Sequence, residues 1–298
     1  MPSNNISESA LIKRISRKIT TDASVACGIG DDTAVLRYSK DKYMLFTTDM
    51  LIEDVDFTSK ATAQAIGHKA LACSLSDIAA MGGIPKYAVI SLGMPKENAV
   101  KFIDGFYAGL TTLAKQFKVN VVGGDLSSSK KIVVDVSMIG EVEKKKLVLR
   151  TGAKPRDIIF VSGPLGGSIY GRHLTFTPRI REAHYLVHNY KIHAMLDISD
   201  GLSLDLRRLC SASKSGAIVY EDLIPLSNDA KSMDEALHMG EDFELLFTMS
   251  LREARRLMQK RGNVYKPIGE MREKEYGIKF ITKKAQEEVL KAKGYQHF

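Results

Sequence analysis

Two adjacent carboxylates framed by glycines, in Gly28-Ile29-Gly30-Asp31-Asp32-Thr33-Ala34-Val35-Leu36, constrain this chain more than any other stretch. The glycines free the backbone and expose N–H groups, as a loop beside phosphate oxygens requires. The aspartates repel each other unless a cation or strong donors stand between them. Hard cations such as Mg²⁺ take oxygen ligands and bridge carboxylates to phosphates. Alone, the stretch reads as a solvated turn sooner than as a site, because Gly-Asp pairs are common in turns. Its weight comes from recurrence.

Along the chain, strands and helices alternate, and an acid repeatedly stands at a strand exit. Ser7 to Lys18 spaces Leu11, Ile12 and Ile15 as an amphipathic helix, continued by Ile19, expected to dock on the core. A strand at Tyr43–Phe46 runs into Thr47-Thr48-Asp49. An alanine-rich helix over Thr62–Ala80 closes at Gly82-Gly83 and carries Ser74-Leu75-Ser76-Asp77. Tyr87–Met94 reads as a buried strand stopped by Pro95, and Glu97–Phe117 as a helix with Tyr107 facing inward. Val119–Val122 is a short strand ending in Gly123-Gly124-Asp125, and Ile132–Val142 alternates as a strand. The pattern breaks between Glu143 and Lys154, which divides the chain into 1–143 and 144–298. Beyond the break come a strand at Asp157–Ser162, a loop at Gly163–Gly167, and a strand at Ala194–Ile198 leading through Ser199-Asp200-Gly201 into a helix over Leu202–Ala212. Ala217–Tyr220, Phe243–Met249, Val264–Ile268 and Ile278–Ile281 supply further strands.

At 298 residues, with 44% apolar and 26% charged residues, a packed core is expected. No apolar run reaches the roughly 18 residues of a membrane span, and Met1 to Ala10 lacks the apolar centre of a signal peptide. Cys27, Cys73 and Cys210 are too scattered for a disulfide framework or a zinc site, which points to reduced cytoplasm. The net charge of +8 is dispersed, its densest run being Lys144-Lys145-Lys146, so small anionic ligands fit it better than nucleic acid.

Asp31, Asp32, Asp49, Asp77, Asp125, Asp197 and Asp200 all stand at strand ends or beside glycines, and Thr47 and Thr48 add hydroxyls. One such acid is ordinarily a cap or turn, as Ser199 or Asp200 would be for the helix that follows. Seven in similar contexts on a basic chain invite a polynuclear Mg²⁺ site. No Walker A loop, protein-kinase element, Gly-x-Ser-x-Gly elbow or HExxH pair is present. His184 and His188 stand at i, i+4, which suits a metal but reads sooner as a surface helix face.

Taken together, these stretches resemble the thiamine-monophosphate kinase family. Gly28 to Val35 is similar to its first signature. Thr47-Thr48-Asp49-Met50-Leu51, Lys69-Ala70-Leu71-Ala72, Leu75 to Gly82 and Val122-Gly123-Gly124-Asp125 follow in the family's order. So do Arg150 to Pro155, Asp197 to Leu202, Gly240 to Leu245 and the closing Gly294-Tyr295-Gln296-His297-Phe298. The resemblance implies a two-domain α/β (α+β) protein of the aminoimidazole-ribonucleotide-synthetase type, with mixed sheets flanked by helices and N-terminal sheets pairing in a homodimer. It implies ATP-dependent phosphorylation of thiamine monophosphate assisted by several Mg²⁺ ions. By family pattern, Asp32, Thr47, Thr48, Asp49, Asp77, Asp125, Asp197 and Asp200 would ligate Mg²⁺. Tyr107, Gly124, Asp125, Arg150 and Ser199 would line ATP; Glu241, Tyr295 and the position of Asp56 would face the acceptor.

Two departures stand out. The family has histidine where this chain has Asp56, and an arginine after Asp125 where this chain has Leu126-Ser127-Ser128-Ser129, with Lys130 or Lys131 nearby as a substitute. An acid beside an anionic acceptor would repel it unless metal intervenes. The acceptor phosphate carries its own nucleophilic oxygen and is mostly dianionic at neutral pH. No general base is therefore expected, and the transfer should be a single in-line displacement. Rival readings are a superfamily relative that phosphorylates an amide oxygen or makes selenophosphate, and a non-catalytic nucleotide-binding relative.

Overall fold

Period-two alternation builds the first sheet. In the computed structural model, which describes residues 7–97, 99–295 and 297, its strands are β1 (Val25–Cys27), β2 (Ala34–Arg37), β3 (Lys42–Ile52), β4 (Ile84–Met94), β5 (Asn120–Ser128) and β6 (Val133–Glu143). Their order is β1-β2-β3-β6-β4-β5, antiparallel except for β4 with β5. Val134, Val136 and Met138 turn inward from β6, and Ala88, Ile90 and Leu92 from β4. The other face leaves Phe46, Met50, Tyr87 and Val89 exposed, and Val122 and Leu126 are exposed on the edge strand β5. The Tyr87–Met94 segment is thus buried on one face only. Two of its outward residues, Tyr87 and Val89, are apolar or aromatic as well, which hides the alternation in the sequence.

The second sheet comprises β7 (Ile158–Val161), β8 (Ile192–Asp197), β9 (Gly216–Tyr220), β10 (Leu245–Met249), β11 (Lys266–Arg272), β12 (Ile278–Ile281) and β13 (Glu287–Val289). Its order is β13-β12-β9-β11-β7-β10-β8, with only β12 and β9 parallel. The fold is therefore a two-part mixed α/β architecture, both sheets being mixed. The strand expected from Phe243 begins at Leu245 because Phe243 holds a left-handed backbone, φ +50°.

The helices are α1 (Glu8–Ser16), α2 (Ala63–Ala80), α3 (Ala99–Phe117), α4 (Ile180–Asn189), α5 (Leu202–Ser213), α6 (Met233–His238) and α7 (Leu251–Met258). The expected docking of α1 is not observed: none of its residues is buried, and Ile12 and Ile15 are exposed. By contrast α2, capped by the Thr62 hydroxyl on the Ala65 N–H, is apolar nearly all round and lies at the centre. It packs on β3 and β6, on α3, and on α4 and β8. One apolar core accordingly runs from Val136 and Met138 through α2 to Met195 and Phe247, and a second lies beneath α5.

Close approach of α2 to α3 rests on absent side chains. A Cβ on Gly109 would collide with the Gln64 carbonyl, and one on Gly67 with the Phe106 carbonyl. Gly109→Ala should therefore destabilise the protein by about 1–3 kcal/mol, against the roughly 1 kcal/mol that alanine gains in a free helix. Urea unfolding checks the sign; a more stable variant would show that the helices do not meet at this distance.

Candidate active site

The C-terminal half of α2 presents Ser74 toward β3 and β6, and Ser76 and Asp77 toward two other segments. One is the glycine-framed loop before β2, which carries Asp32; the other is the end of β8, which carries Asp197. Carboxylate oxygens of Asp32, Asp77 and Asp197 lie within 4.8 Å of one another. Each acid has its own donor. The Thr47 hydroxyl donates to Asp77, Ser76 Oγ to Asp197 Oδ2 at 2.5 Å, and Arg150 Nη2 to Asp32 Oδ1 at 2.6 Å. Asp49 accepts from Ser74 Oγ at 2.8 Å, and the Arg150 backbone N–H donates to Asp31 at 3.1 Å.

These donors do not balance the charge. Burial first, then the surrounding aspartates, pushes Asp77 and Asp197 well above the usual carboxylate range. The same causes bring Asp49 to about 6 and Asp31 to about 7. Asp32 Oδ2 is buried with no hydrogen-bond partner. A buried, unpartnered carboxylate oxygen facing two further carboxylates is a deficit of positive charge, and hard divalent cations fit it. An open groove of about 600 Å³ leads from this cluster, bordered by Ile29 to Ala34, Thr47, Arg150, Asp200 and Arg208. Asp200 stands at its rim, paired with Arg208 at 2.5 Å.

Other residues in the sequence-based set lie elsewhere. Thr48 borders the groove as well, but its hydroxyl turns to the opposite face of β3 and meets Asp135 and Ser137 at 3.0 Å. Asp125 is exposed on β5, in register with Ser91, Asp135 and Met50 across the sheet. Three strand spacings of about 4.8 Å separate it from β3, so one chain does not bring it to the cluster. Gly124 is on the same edge strand, and Tyr107 is half-buried on α3, edge-on to Phe106; neither borders the groove. Ser199 offers its carbonyl to the Glu241 N–H at 2.7 Å.

A second cavity of about 320 Å³ adjoins Asp56, Phe57, Ile169, Met239, Glu241 and Tyr295. The residues Gln296 and Phe298 of the closing stretch lie outside the described residues. Between cavity and cluster stands Lys69, fully buried on α2, whose Nζ donates to Glu241 Oε2 at 2.5 Å and to the Asp56 carbonyl at 2.6 Å. Lys69, Cys73 and Ser76 form one stripe of α2 at i, i+4, i+7. Asp77 follows about 12 Å along the axis from Lys69. Lys69, Ser74 and Ser76 were not among the expected site residues. Their signal was polarity on a helix that is otherwise apolar all round.

Comparison with known proteins gives the family and the fold. The chain matches the AIR synthase related protein N-terminal domain over residues 30–142 and its C-terminal domain over 153–281. It is 35% identical to a thiamine-monophosphate kinase of Bacillus subtilis (strain 168), covering 97% of this chain and 98% of that one. It is 40% identical to one of Rhodopirellula baltica, covering 77% and 78%. A solved structure, AaThiL complexed with AMPPCP and TMP, superposes with a TM-score of 0.87 at 32% identity, covering 100% of this chain and 99% of that one. By sequence and by fold, the chain belongs to the thiamine-monophosphate kinase family of AIR synthase related proteins.

Proposed function

We propose that this protein transfers the γ-phosphoryl group of ATP to the phosphate of thiamine monophosphate, giving thiamine diphosphate. The observation that carries the reading is a charge-deficient carboxylate cluster and an acceptor-sized cavity at two ends of one helical stripe, α2. Its relatives bear this activity in their names, and the AaThiL structure holds an ATP analogue with TMP.

Asp32, Asp77 and Asp197 would hold Mg²⁺, with Asp49 and Thr47 beside them; the orphaned Asp32 Oδ2 is the strongest support. Bound there, the cations would neutralise two polyanions that otherwise repel. Arg150, whose Nε is also unpartnered, adds the nearest fixed positive charge to the groove. Glu241 and Tyr295 orient the acceptor, and Lys69 fixes Glu241. No side chain needs to remove a proton, because the acceptor oxygen is already ionised. In-line transfer follows, with inversion at phosphorus; net retention in a chiral-phosphate experiment would overturn the single displacement.

Several organisational features belong to the same proposal. Residues 1–143 and 144–298 act as two domains, supported by one sheet in each. A second copy covers the apolar outer face of the first sheet, supported by exposed Phe46, Met50 and Val89 and by a β5 edge that is unpaired among the described residues. That pairing would also give Asp125, Gly124 and Thr48 a role. The free cysteines support a reducing, cytoplasmic location, and no helix among the described residues is long and apolar enough to cross a membrane.

The test is ADP release from Mg·ATP against thiamine monophosphate, thiamine, aminoimidazole-type intermediates and selenide. Release should require thiamine monophosphate and Mg²⁺ together and stop with EDTA. Release with another acceptor alone would overturn the reading.

A further inference from the structure

Of the three carboxylates that line the acceptor cavity, Asp54, Asp56 and Glu241, Asp56 alone has no paired cation among the described residues. Among the described residues Lys69 is the one fully buried cation beside the cavity, and its ammonium is spent on the Glu241 carboxylate and the Asp56 backbone carbonyl. Asp54 on the rim is paired with Lys131 at 3.1 Å, and Lys60 is exposed to solvent. His173 is held toward its neutral form by burial and by Lys69, with Nδ1 engaged by the Ser168 carbonyl at 2.9 Å. The side chain of Asp56 accepts one hydrogen bond, from the Ile52 N–H at 2.7 Å, and no side-chain cation pairs with it among the described residues. Around it the lining is apolar and aromatic: Phe57, Ile169, Leu174, Met239 and Tyr295.

A half-buried, unpaired carboxylate in an apolar lining is a recognition element for positive charge. Resting on the reading above, we propose that Asp56 is a specificity-determining residue that reads the cationic heteroaromatic ring of the acceptor, so that the cavity selects phosphate esters that also carry a quaternary nitrogen. The acceptor's phosphate then points along α2 toward Asp77, away from Asp56. This assigns the acid its favourable partner and keeps it off the anion that it would repel. The aromatic rings of Tyr295 and Phe57 would add cation–π attraction for the same ring.

The test is calorimetric binding of thiamine monophosphate and of its isostere in which an uncharged thiophene replaces the thiazolium, with Mg²⁺ present. The wild-type protein should prefer the cation by about tenfold, the worth of one charge-assisted contact. Asp56→Asn keeps an oxygen for the Ile52 N–H; it should weaken the cation alone and bring the two affinities to within about twofold. In turnover the same variant should raise KM for thiamine monophosphate with kcat and the KM for ATP unchanged, as loss of uniform binding does. Equal wild-type affinities overturn the inference, as does an Asp56→Asn variant that weakens both ligands equally or shifts only the Mg²⁺ requirement. Should Asp56→Asn fail to fold, the wild-type affinity ratio still decides. If the wild type binds with this preference but releases no ADP, the kinase reading fails and the charge recognition stands; binding neither ligand overturns both.

Discussion

Asp77→Asn is expected to lower ADP release on the order of 10³-fold while making the metal-free protein more stable. The two effects have one cause. Asp77 is buried against Asp49, Asp197 and Asp32, and its folded pKa is raised well above the unfolded value. A carboxyl with a raised folded pKa costs stability wherever it must ionise. The cost is absent below the unfolded pKa, near 4, grows as pH rises toward the folded pKa, and is complete above it. Asparagine keeps an acceptor for Thr47 and removes the charge. The variant's melting temperature should therefore match the wild type at pH 4 and exceed it at pH 8 in EDTA. Mg²⁺ should raise the melting temperature of the wild type and leave that of the variant nearly unmoved, because binding to the native state stabilises it. A variant that melts lower at pH 8 and keeps the Mg²⁺ increment would make Asp77 a structural partner of Thr47 alone.

Lys69→Met has the opposite signature. Lys69 is inaccessible to solvent and the Glu241 side chain is 25% exposed, so their pair is largely desolvated. Removing the ammonium leaves Glu241 and the Asp56 carbonyl without their donor. A loss of about 3 kcal/mol is expected at pH 8, read as a lower urea midpoint. Burial already raises the Glu241 pKa, and without Lys69, which lowers it, the rise is larger. Glu241 in the variant then protonates as pH falls, and the loss shrinks toward pH 5. Lys69→Met with Glu241→Gln should recover most of the stability, because the stranded charge is gone. The single variant should also raise KM for the acceptor more than it lowers kcat, since Glu241 loses its anchor. An unchanged KM would leave Lys69 purely structural.

Several corrections share one origin. Thr47-Thr48-Asp49 reads as a strand exit because polar residues interrupt an apolar run, yet β3 continues to Ile52. Leu45, Thr47, Asp49 and Leu51 keep the period of two; the inner face turns polar where it meets the cluster. Asp125 carries the right chemistry in the right context and still lies three strands from β3 within the chain. The face of α1 has helical periodicity, yet its Ile12 only borders the open groove and stays exposed. The interior course of α2, with a lysine inside, is masked by its all-round apolarity.

What the amino-acid order determines alone is local: which segments form strands, where α2 starts and stops, and which residues bear charge. These follow from periods of 2 and 3.6 and from capping chemistry, which act over a few residues. The meeting of Asp32, Asp77 and Asp197, and the unpaired carboxylate left at Asp56, were decided by the packing of both sheets around α2. Carboxylates repel, so no local preference assembles them; the apolar burial of the surrounding core holds them together against that repulsion.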